Sequence, residues 1–184
     1  AVAAAARVGY PVAVKTAAAA HKSDVGGVVL GANDAEAVRA AYARIARLGP
    51  VVTVARMAPP GVELALGVAR DATFGPLVVV AAGGVLVETL RDRRLAFPPL
   101  DGGRAARLVD RLAIRPVLDG ARGAPPADLG SLVRAIVGLS WIAADLGDLL
   151  EGFDLNPVIA SPAGAVAVDA LVVRRADAGS GPAA

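Results

Sequence analysis

The stretch His21-Lys22-Ser23-Asp24-Val25-Gly26-Gly27 contains the only histidine of the chain and one of its two lysines, and the other lysine, Lys15, lies just upstream. Every other basic residue is an arginine. Lysine supplies a compact point charge for phosphate, and histidine supplies a nucleophile or proton carrier, which a guanidinium group does not. The paired glycines let the backbone approach a bulky anion. The stretch therefore predicts a nucleotide-phosphate site that includes Lys15, Lys22, Gly26 and Gly27, with His21 as the candidate catalytic residue.

The composition of the 184 residues limits the possible functions. Hydrophobic residues make up 55% and charged residues 20%, which is typical of a globular protein built as one domain or as two small lobes. The formal charge is only +2 and aromatic residues make up 3%, so no nucleic-acid partner is expected. Cysteine is absent, which excludes disulfides and thiolate metal sites. The longest apolar run, residues 76–90, is interrupted by Gly83-Gly84 and Glu88, so we expect no membrane span and a cytoplasmic location.

The pattern of apolar residues predicts two lobes. Residues 1–54 form a small α/β lobe in which Asn33 and Glu36 make a capping box for a helix that ends near residue 48. Residues 55–175 form a larger lobe with an antiparallel sheet covered by two helices, and residues 176–184 form a disordered tail. The larger lobe is predicted from strands at 62–69, 77–82, 85–90, 149–159 and 165–172 and from helices at 103–113 and after the cap Asp128. Trp141 is predicted to pack in the core.

Oxygen donors near the end of the chain form a candidate metal site. Asp154 and Asn156 alternate with apolar neighbours, so both side chains point to the same face of one strand. Asp169 lies on the returning strand of the same hairpin and can sit beside them. Three hard oxygen donors suit Mg²⁺, which prefers carboxylates, waters and substrate phosphates. An Asx-type turn network at a strand end is the structural alternative.

Three other features allow two interpretations each. A lone histidine is more often an ordinary surface or core residue than a catalyst, and the glycines near His21 do not form a Walker loop, because no Gly-Lys-Ser/Thr opens a helix. Glu63, isolated in an apolar strand, is either an acid that binds a hydroxyl group or a solvent-facing residue. Gly83-Gly84 is most simply a tight strand connection, and the less common alternative is a turn that faces phosphate.

Eight motifs in order resemble one known family, the ATP-grasp domain of ADP-forming acetyl-CoA (acyl-CoA) synthetases, over residues 1–173. The same domain occurs in related fused protein acetyltransferases and, more distantly, in the β subunit of succinyl-CoA synthetase. The motifs are Gly9-Tyr10-Pro11-Val12 with Lys15, His21-Lys22-Ser23-Asp24-Val25-Gly26-Gly27-Val28, Pro60-Gly61-Val62-Glu63, Arg70-Asp71 with Phe74-Gly75-Pro76, Gly83-Gly84 with Val87-Glu88, Arg122-Gly123 with Pro125-Pro126-Ala127-Asp128, Asp154-Leu155-Asn156-Pro157, and Ala167-Val168-Asp169-Ala170.

The resemblance implies an ATP-grasp fold of the α/β (α+β) class, with two lobes and the nucleotide cleft between them. It implies that Lys15 contacts ATP or ADP, that Gly26 and Gly27 lie in a phosphate loop, and that Glu63 lies near the ribose. Asn156 and Asp169 would ligate Mg²⁺, with Asp154 beside them. His21 matches the histidine that is thought to carry a phosphoryl group in the ADP-forming synthetases.

The function implied by this resemblance is that of an acid–thiol ligase domain that forms or cleaves an acyl-CoA thioester through phosphohistidine. Its partners would be CoA-binding and CoA-ligase domains, in the same polypeptide or in a partner subunit, and the acyl-CoA substrate would bind through those domains. The chain alone would then be inactive. The alternatives are a regulatory, non-turnover nucleotide-binding module of a fused lysine acetyltransferase and a purely structural lobe.

Overall fold

The chain divides into two compact units, Ala1–Ala58 and Pro59–Ala184, in the computed structural model, which describes residues 1–18, 25–84 and 92–176. The boundary lies four residues beyond the predicted one at 54. The reason is that the strand Val52–Arg56 extends beyond residue 54 and pairs with a strand of the first unit. The predicted strand at 85–90, His21, Lys22 and the predicted disordered tail from residue 177 onward lie outside the described residues.

The first unit contains one three-stranded antiparallel sheet and two helices. Its elements are α1 (Val2–Val8), β1 (Val12–Thr16), β2 (Val28–Ala32), α2 (Ala35–Ile45) and β3 (Val52–Arg56), with the strand order β2-β1-β3. Buried residues of the sheet, Val12 and Val14, pack with Val38, Ala41 and Ile45 of α2. The small α/β unit predicted at the start of the chain is therefore present.

The helix cap in this unit differs from the predicted capping box. Asp34, not Asn33, is the N-cap of α2, and its Oδ1 accepts a hydrogen bond of 2.8 Å from the Ala37 amide. Asp and Asn cap helices about equally well, so the sequence alone did not choose between the two neighbours. The helix ends at Ile45, where its last buried residue contacts the core.

The second unit is a larger antiparallel sheet with helices on one face. Its elements are β4 (Val62–Asp71), β5 (Gly75–Ala82), β6 (Arg93–Ala96), α3 (Gly102–Asp110), α4 (Arg115–Leu118), a short 3₁₀ turn (Ala121–Gly123), α5 (Leu129–Leu146), β7 (Leu150–Ser161), β8 (Gly164–Ala167) and β9 (Leu171–Arg174). The strand order is β6-β5-β4-β7-β8, and β9 also pairs with β7. All of these pairings are antiparallel, which confirms the predicted sheet.

Helix α5 forms the main packing layer of this sheet. Asp128 caps it as predicted, and Leu132, Ile136, Leu139 and Ala143 form a buried stripe against the sheet. By length and composition α5 could cross a membrane, but this stripe identifies it as the core helix of the unit. Trp141 was predicted to pack in the core, and that prediction is wrong, because the residue is 52% exposed on the outer side of α5.

Two further features complete the description of this sheet. Arg93 and Arg94 lie in the edge strand β6, where Arg94 forms an ion pair of 3.3 Å with the buried Asp92. The predicted closing strand at 165–172 is two strands, β8 and β9, separated by residues 168–170. The pairing of β4 with β7 also contains a register shift, between Leu64 and Leu66 of β4.

Candidate functional site

Several of the candidate site residues in the second unit lie on the sheet face opposite α3 and α5. Along β4, Leu64, Leu66 and Val68 are buried in the core, so the alternating residues Glu63, Ala65 and Gly67 point the other way. Along β7, Phe153 and Leu155 pack against the core, so Asp154 and Asn156 point to that same opposite face, where both are exposed. We call the surface formed by Glu63, Ala65, Gly67, Asp154 and Asn156 the site face.

Asp169 lies next to Asn156 because the strand register continues across the break between β8 and β9. Val158 pairs with Ala167 on one side of the break, and Asp154 pairs with Leu171 on the other. Asn156 lies midway between Asp154 and Val158 on β7. Asp169 lies midway between Ala167 and Leu171 on the returning chain, so Asn156 and Asp169 lie opposite each other. The Val168 amide also donates a hydrogen bond of 3.0 Å to the Pro157 carbonyl, which holds the two segments together there.

The oxygen donors of this region are too few to enclose a metal ion, and a small donor set of this kind is compatible with Mg²⁺. Asp154, Asn156 and Asp169 provide two carboxylates and one amide oxygen. Within the described ranges no group of three or more His, Cys, Asp or Glu side chains is arranged to hold a metal ion. A site with few protein ligands is what Mg²⁺ uses, since it keeps several waters and shares substrate phosphates. The register places Asn156 opposite Asp169, and Asp154 lies on the same strand face as Asn156, while the binding of Mg²⁺ by these residues stays a prediction.

A groove of about 420 Å³ adjoins Asp154 on the site face. Small residues form its floor: Gly67 lies directly opposite Asp154, and Ala69 lies opposite Gly152. Val79, Leu171, Val173, Arg70 and Glu151 also line it. The groove was not predicted from the sequence. Its only sign in the sequence is that small residues occupy the alternate positions Ala65, Gly67 and Ala69.

Glu63 lies at the start of β4, on the same face as Asp154 and Asn156. Its backbone pairs with Ile159 of β7 on one side, and its carbonyl accepts a hydrogen bond of 2.8 Å from the Gly83 amide on the other. The side chain is exposed, so a ligand on the site face can reach its carboxylate. Of the sequence-predicted site residues, Glu63, Asp154 and Asn156 therefore lie on one sheet face of the second unit, and Asp169 lies opposite Asn156.

Lys15 is held by the sheet of the first unit. It lies within β1 and pairs with Val28 and Thr53. Val12 and Val14 point to the helices of that unit, so the alternating Lys15 points to the opposite face of the sheet, where it is half-buried. A rigid strand thus fixes the direction in which this ammonium group extends.

Gly26 and Gly27 close the connection from β1 to β2. The Thr16 amide donates a hydrogen bond of 2.7 Å to the Gly27 carbonyl, so the strand pairing extends to the buried Gly27. Gly26 is exposed with a φ of 67°, a backbone conformation that favours glycine. A Cβ atom placed there would meet nothing within 4 Å, so the backbone of this residue is accessible to a bulky group. His21 and Lys22 belong to the same connection but lie outside the described residues.

The sequence profile of the ATP-grasp domain matches residues 1–173 of this chain. The match spans both units and all of the described site residues. The chain therefore belongs to the ATP-grasp domain family, which confirms the resemblance and the predicted fold.

Two relatives define the branch of the family that this chain resembles. The β subunit of ADP-forming acetate–CoA ligase I from Pyrococcus furiosus is 34% identical over 178 residues, which cover 90% of this chain and 76% of that subunit. A trans-feruloyl-CoA synthase from an unknown prokaryotic organism is 39% identical over 188 residues, but these cover 94% of this chain and only 26% of the synthase. The chain thus spans about a quarter of the length of the second relative.

Solved structures agree with these sequence matches. The dinucleotide-forming acetyl-coenzyme A synthetase 1 of Ca. Korarchaeum cryptofilum, in complex with coenzyme A, Ca-AMPCP and HgCl⁺, superimposes with a TM-score of 0.86 at 36% identity, covering 95% of this chain and 80% of that one. The complex of that synthetase with coenzyme A and Mg-AMPPCP gives a TM-score of 0.84, covering 95% of this chain and 81% of that one. In it the phosphohistidine segment points towards the nucleotide binding site.

Proposed function

We propose that this chain is the ATP-grasp domain of an ADP-forming acyl-CoA synthetase, which binds ATP or ADP with Mg²⁺ and transfers a phosphoryl group through His21. The observation that carries the proposal is the position of Asn156 opposite Asp169, with Asp154 and Glu63 on the same site face. The relative whose structures contain Mg-AMPPCP or Ca-AMPCP is 36–37% identical to this chain. The implied enzyme is an acid–thiol ligase of the cytoplasm.

The described residues have distinct roles in this proposal. Asn156 and Asp169, with Asp154 beside them, hold the metal, and Glu63 contacts the ribose hydroxyls. Lys15 contacts the polyphosphate, and Gly26 and Gly27 bring backbone amides close to it. When bound, Mg²⁺ offsets negative charge on the transferring phosphoryl group. The same ion explains why the protein supplies only two carboxylates and an amide at this place.

The phosphoryl step is a displacement at the γ-phosphorus of ATP. A neutral imidazole nitrogen of His21 attacks that phosphorus, and the bond from the phosphorus to the β–γ bridging oxygen breaks. ADP leaves with the electron pair, and the histidine carries the phosphoryl group. In the reverse direction ADP takes the group and ATP leaves. Through this intermediate, acyl-CoA, phosphate and ADP interconvert with the free acid, CoA and ATP.

The thioester chemistry requires parts that complement this chain. We propose that CoA-binding and CoA-ligase domains, in the same polypeptide or in a partner subunit, bind the acyl-CoA and exchange the phosphoryl group with His21. The share of each relative that this chain covers supports a single domain of a larger enzyme. On its own, the chain should not form thioester.

Incubation with ATP labelled at the γ-phosphate, Mg²⁺ and the partner ligase domain tests the proposal. We expect an acid-labile, base-stable label on His21, which is the only histidine in the chain. His21→Asn should abolish that label while nucleotide binding persists, because the asparagine cannot accept the phosphoryl group. Nucleotide binding without label on the unmodified chain would favour a regulatory module of a fused lysine acetyltransferase. Neither binding nor label would favour a structural lobe.

A further inference from the structure

The backbone of Glu63 is fixed from both sides, so only its side-chain torsions remain to decide where the carboxylate points. On one side Glu63 pairs with Ile159 of β7. On the other, the last ladder pair of β4 and β5 is Leu64 with Ala82, and Gly83 continues this register by donating its amide to the Glu63 carbonyl. Glu63 thus lies on a central strand that cannot shift without disturbing both neighbours.

Gly83 and Gly84 bring the chain unusually close to Glu63. A Cβ atom on Gly83 would lie 2.7 Å from the Glu63 carbonyl carbon and from the Leu64 nitrogen. A Cβ atom on Gly84 would lie 2.5 Å from Oε2 of Glu63 and 3.4 Å from its Cδ. The carboxylate therefore occupies the space that a side chain on Gly84 would fill. Gly84 also has a φ of 63°, a conformation that glycine adopts most readily.

We propose that Gly84 is a positioning residue for Glu63: because it lacks a side chain, the carboxylate rests over its backbone and is directed at the ligand's ribose hydroxyls. The inference rests on the proposed nucleotide-binding function, in which Glu63 makes that contact. It adds a specific role for the second glycine of a pair that the sequence predicts most simply as a tight strand connection. Gly84 acts through Glu63 and touches no ligand in this proposal.

The test compares ATP with 2′,3′-dideoxy-ATP, which lacks both ribose hydroxyls, on the wild-type chain and on Gly84→Ala, in the presence of Mg²⁺. The added methyl group displaces the carboxylate, so the Kd for ATP should rise about tenfold, as expected for loss of a hydrogen bond to a charged group. The Kd for dideoxy-ATP should change by less than about twofold, because that ligand does not use Glu63. A crystal structure of Gly84→Ala should show the Glu63 carboxylate displaced.

Two controls separate this effect from backbone strain. Gly75 has a similar φ of 76°, but a Cβ atom there would meet nothing within 4 Å. Gly75→Ala therefore imposes the same kind of strain without a contact, and its ATP affinity should equal that of the wild type. On the Glu63→Ala background, Gly84→Ala should have no further effect, since no carboxylate remains to be displaced. If Gly84→Ala does not fold, Glu63→Asp tests the same point, because the shorter acid loses its contact with Gly84 and should lose the preference for ATP.

The outcomes distinguish this inference from the proposed function. If the wild type binds ATP and Glu63→Ala weakens binding, but Gly84→Ala behaves as wild type, the positioning role is overturned and the nucleotide site stands. An equal loss from Gly84→Ala with and without Glu63 also overturns it, because the methyl group then acts elsewhere. If Glu63→Ala leaves ATP binding unchanged, the role of both residues is overturned. A wild-type chain that binds no nucleotide overturns the inference together with the function.

Discussion

Asn156 of β7 lies opposite Asp169, in the gap where the returning chain leaves β8 and has not yet begun β9. Ladder pairs on both sides of the gap, Val158 with Ala167 and Asp154 with Leu171, fix the positions of the two residues. Asp169 lies in the short segment between β8 and β9, beside β7. The paired strands on both sides of the gap thus hold Asn156 and Asp169 beside each other, which is the arrangement that the proposed metal site requires.

Replacement of Asp169 or Asn156 by Ala should remove most of the effect of Mg²⁺ on nucleotide affinity. Each replacement deletes one oxygen donor, and loss of a ligand lowers metal affinity by about tenfold or more. Calorimetric titration of ADP with and without Mg²⁺ measures the difference directly. Asp145→Ala is the matched control, because Asp145 is an exposed acid on α5, away from the site face. A Mg²⁺ effect of wild-type size in both site variants would exclude this region as the metal site.

Lys15→Gln should weaken ATP binding more than adenosine binding. The ammonium group contributes by attraction to phosphate, which adenosine lacks, and glutamine preserves much of the side-chain length. We expect a loss of about tenfold for ATP, from removal of a charge-assisted hydrogen bond. Arg39→Gln, an exposed basic residue of α2, changes the net charge by the same amount and should leave ATP affinity unchanged. Equal effects of the two variants would show that Lys15 acts only through net charge.

The features of the fold that depend on local sequence were predictable. The buried stripe and the Asp128 cap of α5 follow from helical spacing and from a preferred capping residue, and both are present. Alternation along β7 also predicted correctly that Asp154 and Asn156 share a face. Trp141 was placed wrongly because helical spacing near the edge of an apolar stripe does not decide which residue remains exposed.

The features that depend on pairing between distant strands were not predictable. The division of the closing strand into β8 and β9 is set by how residues 168–170 meet β7, and the sequence of that segment contains no glycine or proline to mark a break. The groove beside Asp154 forms only when Gly67 of β4 pairs with β7. These two strands are far apart in the sequence of the unit. The contact of Gly84 with Glu63 likewise arises only after β4 and β5 have paired.

Leu132→Ala should destabilise the second unit, whereas Leu146→Ala on the same helix should not. Leu132 is completely buried, while Leu146 is 44% exposed. Truncation of a buried leucine costs about 2–5 kcal/mol, and an exposed one changes the free energy of unfolding by about 0.5 kcal/mol or less. The single tryptophan, Trp141, lies on α5, so its fluorescence during denaturant unfolding reports on this unit. Equal midpoints for the two variants would contradict the assignment of α5 as the core helix.

The stability that Asp128 contributes should depend on pH, and Asp128→Asn should reveal it. The Asp128 carboxylate accepts hydrogen bonds from the Ser131 hydroxyl at 2.5 Å and from the Ser131 amide at 2.9 Å. These bonds lower the pKa of Asp128, the hydroxyl contributing most, and the charge of Arg134 lowers it further. A lowered pKa in the folded state means that the contribution is complete above the unfolded-state pKa and is lost as the pH falls through the folded-state value.

Wild type should therefore unfold at higher denaturant concentration than Asp128→Asn at neutral pH, and the two midpoints should converge as the pH falls below about 4. Asparagine still accepts the amide hydrogen bond of an N-cap, but its NH2 group cannot accept the bond from the Ser131 hydroxyl, so the difference reports the carboxylate charge together with that bond. Asp145→Asn removes a charge near the opposite end of α5, where a negative charge opposes the helix dipole, and it should not destabilise the protein at neutral pH. If the difference between the unfolding midpoints of wild type and Asp128→Asn stays constant from neutral pH to about pH 3, the cap acts through shape and hydrogen bonding alone.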